Sequence, residues 1–134
     1  MPSATRSIQR GPIKIGSADY FADTLATMKG LIGRTIVGFA VRSNTVIGAV
    51  ATNAKMSKEE ANKVAQMTHA GLARTIRPAH TMLDGDTLFA LATGERSADV
   101  NIVGAFAAEV MALAIVRAVV TAKSAGHLPG LAGA

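Results

Sequence analysis

In the stretch VRSNTVIGAVATNAK (Val41 to Lys55), Asn44 and Thr45 stand directly before an apolar run. A threonine hydroxyl is a poor nucleophile until something takes its proton. The three histidines, His69, His80 and His127, are scattered and show no helical i, i+4 pairing, although any of them could approach Thr45 in space. Another arrangement needs no second side chain. Breaking the Asn44-Thr45 bond gives Thr45 a free α-amine within reach of its own hydroxyl. Such an amine has a reference pKa of about 8, near the working pH, as suits a general base. The ordinary alternative is that Asn44 and Thr45 form a turn leading into a strand.

A second polar cluster, Asp84-Gly85-Asp86, stands before another apolar run in HTMLDGDTLFALATG. If the extended conformation begins there, side chains at i and i+2 point to one face. Both carboxylates then converge at the mouth of the sheet, where Thr45 also lies. They could hold the ammonium of Thr45, relay its hydroxyl proton or bind the amino group of a substrate. Two close carboxylates also tend to push one pKa upward, leaving a group able to carry a proton. A solvated turn is the plain alternative. Calcium is a weaker one, because the further oxygen ligands of an EF-hand-type loop are missing.

The elements that must position these groups follow from the pattern of the chain. Residues 1–20 show no periodicity and contain Pro, Gly and Ser, as a flexible leader does. From Asp23, the spacing of Leu25, Met28, Leu31 and Ile32 predicts a short amphipathic helix stopped by Gly33. Thr35 to Val41 is β-branched enough for a strand, weakened by Gly38. Val46 to Thr52 predicts an apolar strand. Ser57 and Glu60 have the spacing of a capping box, opening a helix whose buried face carries Ala61, Val64, Ala65, Thr68, Leu72, Thr75 and Ile76, with Pro78 as its stop. Thr87 to Thr93 predicts a second apolar strand closed by Gly94. A long helix from about Asp99 to Lys123 precedes a Gly/Pro-rich tail.

Between Val100 and Ala122 only Asn101, Gly104, Glu109, Arg117 and Thr121 interrupt the apolar residues. A helix apolar on nearly every side needs cover on nearly every side. Its length would also suit a membrane span. Against that, Glu109 would sit near the bilayer centre, at a cost of about 3 kcal/mol, and the Ala-rich composition is only weakly lipophilic. The expectation is a soluble chain with no membrane partner.

Composition narrows the class. A chain of 134 residues is one domain's worth, and with 49% apolar residues it is globular. No cysteine is present, which removes disulfides, thiolate chemistry and Cys-based zinc sites and fits a reducing cytoplasm. The N-terminus lacks the apolar core of a secretory signal. The net charge of +5 is unevenly spread: residues 1–44 carry six Lys/Arg against two Asp, whereas residues 45–134 carry eight against seven acids. With four Phe, one Tyr and no patch where aromatics interleave with basic residues, this reads as a solvated basic arm rather than a nucleic-acid surface.

Three blocks in this order carry a specific family resemblance: SNTVIGAVATNAK (Ser43–Lys55), GLARTIRPAHTMLDGDTLFALATGE (Gly71–Glu95) and VGAFAAEV (Val103–Val110). From about Phe21 to the tail the chain resembles the DmpA-type L-aminopeptidase/D-esterases, which include the β-aminopeptidases and a nylon-oligomer hydrolase. The resemblance implies an α/β fold of layered α+β type, part of an αββα sandwich of N-terminal-nucleophile hydrolases. It implies autocleavage between Asn44 and Thr45, Thr45 as the nucleophile, and a site that needs no metal or organic cofactor. Asp84 and Asp86 match the acidic pair that is hydrogen-bonded to the nucleophile in the nylon-hydrolase branch; other branches vary there. Substrates would be N-terminal peptide bonds or related amides and esters.

Family members are usually well over twice this length, and what this chain matches is their carboxyl-terminal portion. The expected organisation is therefore a leader (residues 1–22), a pre-cleavage segment (residues 23–44) and a nucleophile-bearing small-subunit domain (residues 45–134). The large N-terminal portion supplies much of the sandwich, an Asn that stabilises the oxyanion and, in one branch, an active-site Lys. A homo-oligomer or a complementing N-terminal half is then the expected partner. The rival reading is a non-catalytic remnant acting only through self-association.

Overall fold

The computed structural model describes residues 45–82, 84–126 and 130–132, together with Lys29. The helix expected from Asp23, the strand expected over Thr35 to Val41, Asn44 and His127 lie outside the described residues. The remainder runs strand, helix, strand, helix: β1 (Ile47–Ala54), α1 (Lys58–Thr75), β2 (Thr87–Arg96) and α2 (Val100–Val120).

β1 and β2 pair in parallel, with Ile47 opposite Thr87 and Val50 opposite Ala90. Parallel neighbours require a crossover, and α1 provides it. The register shifts between Thr52 and Ala54, because Ala54 pairs with Arg96 while Thr52 pairs with Ala92. Gly94 lies inside this irregularity at φ +83°. It was expected to close the strand. Instead it lets β2 bulge and resume, since glycine carries no Cβ to oppose a positive φ, and Lys55 N–H reaches the Arg96 carbonyl.

Ser57 caps α1 as its spacing predicts. Its hydroxyl accepts from Glu60 N–H at 3.2 Å, and Glu60 Oε2 accepts from Ser57 N–H at 2.8 Å. Such a cap contributes about 1 kcal/mol. Glu59 and Glu60 in the first turn and Arg74 in the last suit the helix dipole. Hydrogen bonds from its own backbone N–H and then from the Ser57 hydroxyl hold the Glu59 carboxyl below the usual carboxylate range. Two polar residues, Thr68 and Thr75, are fully buried on the inner face. Each satisfies its hydroxyl within the helix: Thr68 donates to the Val64 carbonyl at 2.8 Å and Thr75 to those of Gly71 and Leu72 at 3.0 Å.

α2 begins one residue after its cap, Asp99, whose carboxylate accepts from the N–H groups of Asn101 and Ile102. Its buried residues are Gly104, Ala107, Ala108, Met111 and Ala112. That is one helical stripe, marked, Met111 apart, by small size rather than polarity. It lies against α1 so closely that a Cβ on Gly71 would collide with the Ala108 carbonyl, and one on Gly104 with the Met67 side chain. The opposite stripe, Ile102, Phe106, Val110 and Leu113, is more than half exposed. The cover that an all-round apolar helix needs is therefore met on one side among the described residues. By length and composition α2 also suffices to cross a membrane.

Among the described residues a core cluster forms from Leu72, Leu88 and Met111, packed by Val46, Val50, Ile76, Ala79 and Ile115. Along β1 burial alternates strictly, with Gly48, Val50, Thr52 and Ala54 turned toward the helices. The outward face holds Ile47, Phe89 and Leu91, exposed by 73%, 55% and 55%. Among the described residues one face of the sheet is thus packed, and the other is apolar and exposed.

Candidate active site

Thr45 immediately precedes β1 and continues its outward, exposed phase; Val46 takes the inward phase and joins the core. Extending the register back from Ile47–Thr87 brings Gly85 opposite Thr45. The two are in close contact: a Cβ added to Gly85 would lie 3.0 Å from Thr45 Oγ1 and 3.8 Å from its Cγ2. The hydroxyl therefore rests over a bare α-carbon, at the edge of the open apolar face.

Asp86, on the approach to β2, continues the inward phase of that strand. Its Oδ1 accepts from Val46 N–H at 2.9 Å, and the Val46 carbonyl accepts from Thr87 N–H at 2.9 Å. Both main-chain polar groups of Val46 are thus held by consecutive residues of β2 and its approach. A carboxylate accepting from a backbone amide in a partly buried setting makes one of the stronger hydrogen bonds available to a protein. Asp84 is engaged elsewhere. Its Oδ2 accepts from Thr81 N–H at 2.7 Å, and its own N–H donates to the Thr81 carbonyl at 3.1 Å. Thr87 adds a bond from its hydroxyl to the Gly85 carbonyl at 3.2 Å.

The two carboxylates were expected to converge on Thr45. The hydrogen bonds they make run instead to the amides of Thr81 and Val46. The reason is register. Residues 45 and 85 share the outward phase, so the residue next to Thr45 across the strands is the glycine between the two acids.

Two histidines come together beside this cluster. His80 Nδ1 lies 3.7 Å from Asp86 Oδ2, and the His80 ring is 5.0 Å from that of His69 on α1. The Asp86 side chain is 7% exposed and that of His80 41%. Sequence spacing offers no sign of this grouping, because only the turn after α1 brings residue 80 to residue 86. No group of three His, Cys, Asp or Glu side chains among the described residues is arranged to hold a metal ion. A cavity of about 340 Å³ lies between β1, β2, α1 and α2, lined by residues such as Val50, Met56, Val64, Leu91, Phe106 and Val110. Its lining includes neither Thr45 nor the two acids and carries no titratable side chain, so it offers shape without chemistry.

The helices and the small parallel sheet make a mixed α/β fold, consistent with a peptidase domain. Residues 6–130 match peptidase family S58. An aminopeptidase of Mycobacterium leprae (strain TN), described as uncharacterized, is 46% identical over 105 residues, which cover 67% of this chain and 29% of the relative. A similarly described aminopeptidase of Mycobacterium tuberculosis (strain ATCC 25618 / H37Rv) is 42% identical over 101 residues, covering 64% and 29%. The 6-aminohexanoate-oligomer endohydrolase of Paenarthrobacter ureafaciens is 40% identical over 88 residues, covering 56% and 25%.

The chain belongs to peptidase family S58, a family of hydrolases. It spans under a third of the length of these curated relatives. The family match starts at residue 6, inside the stretch that the sequence pattern alone set apart as a leader.

Proposed function

We propose that this chain is the nucleophile-bearing segment of an N-terminal-nucleophile aminopeptidase or amide hydrolase. Thr45 Oγ first attacks the carbonyl of Asn44. The peptide C–N bond breaks, an ester forms, and water then releases the carboxylate of Asn44 and the free Thr45. The new α-amine serves as base for the mature reaction. It takes the hydroxyl proton as Oγ attacks the substrate carbonyl, and returns it to the departing amine. Water attacks the resulting acyl-enzyme, the acid leaves, and Thr45 is restored.

The observation that carries this reading is the setting of Thr45. Thr45 is an exposed residue with its hydroxyl against Gly85, while the next amide is fixed by Asp86. Asp86 orients the Thr45–Val46 peptide, and Asp84 holds the preceding turn through Thr81. The substrate is an N-terminal peptide bond or a small amide or ester, and the chemistry needs no metal or organic cofactor. The open apolar face beside Thr45 suits a second sheet, as in an αββα sandwich. A complementing N-terminal half or another copy of the chain would supply it, along with oxyanion donors. The test is hydrolysis of an aminoacyl anilide by the wild type, Thr45→Ala and Thr45→Ser. Turnover by wild type, retained in part by Ser and lost in Ala, supports the reading; turnover that survives Thr45→Ala ends it.

A second reading is favoured by the exposed Ile47, Phe89 and Leu91 on the sheet and by the exposed stripe of α2. On this reading the chain is a non-catalytic remnant that self-associates through these surfaces. It requires oligomers without turnover, and Thr45-dependent hydrolysis disposes of it.

A further inference from the structure

The peptide group between Thr45 and Val46 is planar, so fixing its N–H fixes the direction in which the α-carbon of Thr45 projects. Asp86 Oδ1 does this at 2.9 Å. The same carboxylate presents its other oxygen to the ring of His80, whose Nδ1 lies 3.7 Å away, too long for a hydrogen bond but close enough for a polar contact. A carboxylate side chain only 7% exposed is short of water, and its remaining lone pairs need a donor or a positive neighbour. His80 stands at that place. It does so with a backbone φ of +58°, a region that side chains bearing a Cβ seldom occupy. The ring of His69 flanks it from α1 at 5.0 Å.

We infer that His80 is a positioning residue for the nucleophile, acting through Asp86: it holds the carboxylate so that Oδ1 stays on Val46 N–H and Thr45 keeps its reactive orientation. His80 itself touches no reacting atom. Its effect on rate rests on the reading of Thr45 as nucleophile, whereas its effect on Val46 does not.

Three substitutions in the full chain separate charge from shape. Asn and Asp both tolerate a left-handed backbone, and glycine tolerates it best. His80→Asn puts an amide nitrogen about where Nδ1 stood. His80→Asp keeps the same shape but sets an oxygen against Asp86. His80→Gly removes the side chain while keeping the backbone free to adopt its φ. Hydrogen exchange at the Val46 amide is followed by NMR, together with kcat and KM for an aminoacyl anilide. Val46 protection should be near wild type in His80→Asn. It should fall on the order of fivefold in His80→Gly, the scale of one modest polar contact, and further in His80→Asp. In an active enzyme kcat should follow the same order with KM unchanged.

Equal protection in His80→Asn and His80→Asp overturns the inference, as does loss of protection in all three alike. A wild type that never exposes Thr45 and never turns over defeats the proposed function instead, and the Val46 ranking still decides the role of His80.

Discussion

Val46 donates its backbone N–H to Asp86 Oδ1 at 2.9 Å across 40 residues of sequence, and its carbonyl accepts from the N–H of Thr87. The carboxylate thereby extends the parallel ladder by one further backbone contact, to the amide that follows Thr45. Replacing Asp86 with Ala leaves a partly buried amide without its partner, at a cost of about 1–3 kcal/mol. Asp86→Asn keeps an acceptor oxygen and should recover part of that stability. Denaturant unfolding of the two variants checks the order, and a loss in Asp86→Ala no larger than in Asp86→Asn contradicts it.

Asp84 makes a comparable bond to Thr81, farther from the nucleophile. Asp84→Ala should cost about 1 kcal/mol of stability and reduce Thr45-dependent hydrolysis less than Asp86→Ala does. Paired rate and stability measurements on both variants test this. A larger rate loss at Asp84 would assign it a direct part in the chemistry.

Gly85 is matched to Thr45 by lack of a side chain. In Gly85→Ala the new methyl would lie 3.0 Å from Thr45 Oγ1, so the hydroxyl must shift by some tenths of an ångström. A misplacement of about 1 Å can cost a hundredfold in rate, so this smaller shift should cost roughly tenfold or less. The position is exposed, so thermal stability should barely change. Unaltered kcat in Gly85→Ala would separate this contact from catalysis.

Gly71 should behave in the opposite way. Its α-carbon faces the Ala108 carbonyl, a backbone group that cannot turn aside. Gly71→Ala forces α1 and α2 apart and should destabilise the fold by about 1–3 kcal/mol. A melting temperature within a degree of wild type would contradict the tight helix contact.

The open sheet face gives a further outcome to measure. Phe89→Ser with Leu91→Ser removes two of its largest exposed apolar side chains. Light scattering coupled to size exclusion should show less self-association than in the wild type, since large exposed apolar patches drive such contacts. Unchanged association would move the interface to the outer stripe of α2.

The secondary structure was legible where local chemistry decides it. Ser57 and Glu60 announce α1, Asp99 announces α2, and the apolar runs give both strands to within a few residues. Gly94 misled because a glycine in a strand can mean an end or a bulge, and only the pairing of Ala54 with Arg96 distinguishes them. The faces of α2 were hidden because nearly all its residues are apolar, so hydropathy cannot rank them. What selects the buried stripe is the small volume of Gly104, Ala107, Ala108 and Ala112 against α1. At the site, Thr45 and the acidic pair were visible as residue types in suggestive places. Their partners were not. The contacts of Asp86 with Val46 and His80 depend on strand register and on the path of the turn after α1, neither of which short spacing encodes.

The most direct measurement is the intact mass and N-terminal sequence of the purified wild-type chain beside Thr45→Ala. The expected result is two polypeptides, residues 1–44 and 45–134, in the wild type, with a new N-terminus at Thr45, and one undivided chain in the variant. A wild-type chain that stays uncut and still hydrolyses an aminoacyl anilide would contradict a mechanism in which the amine of Thr45 is its own base.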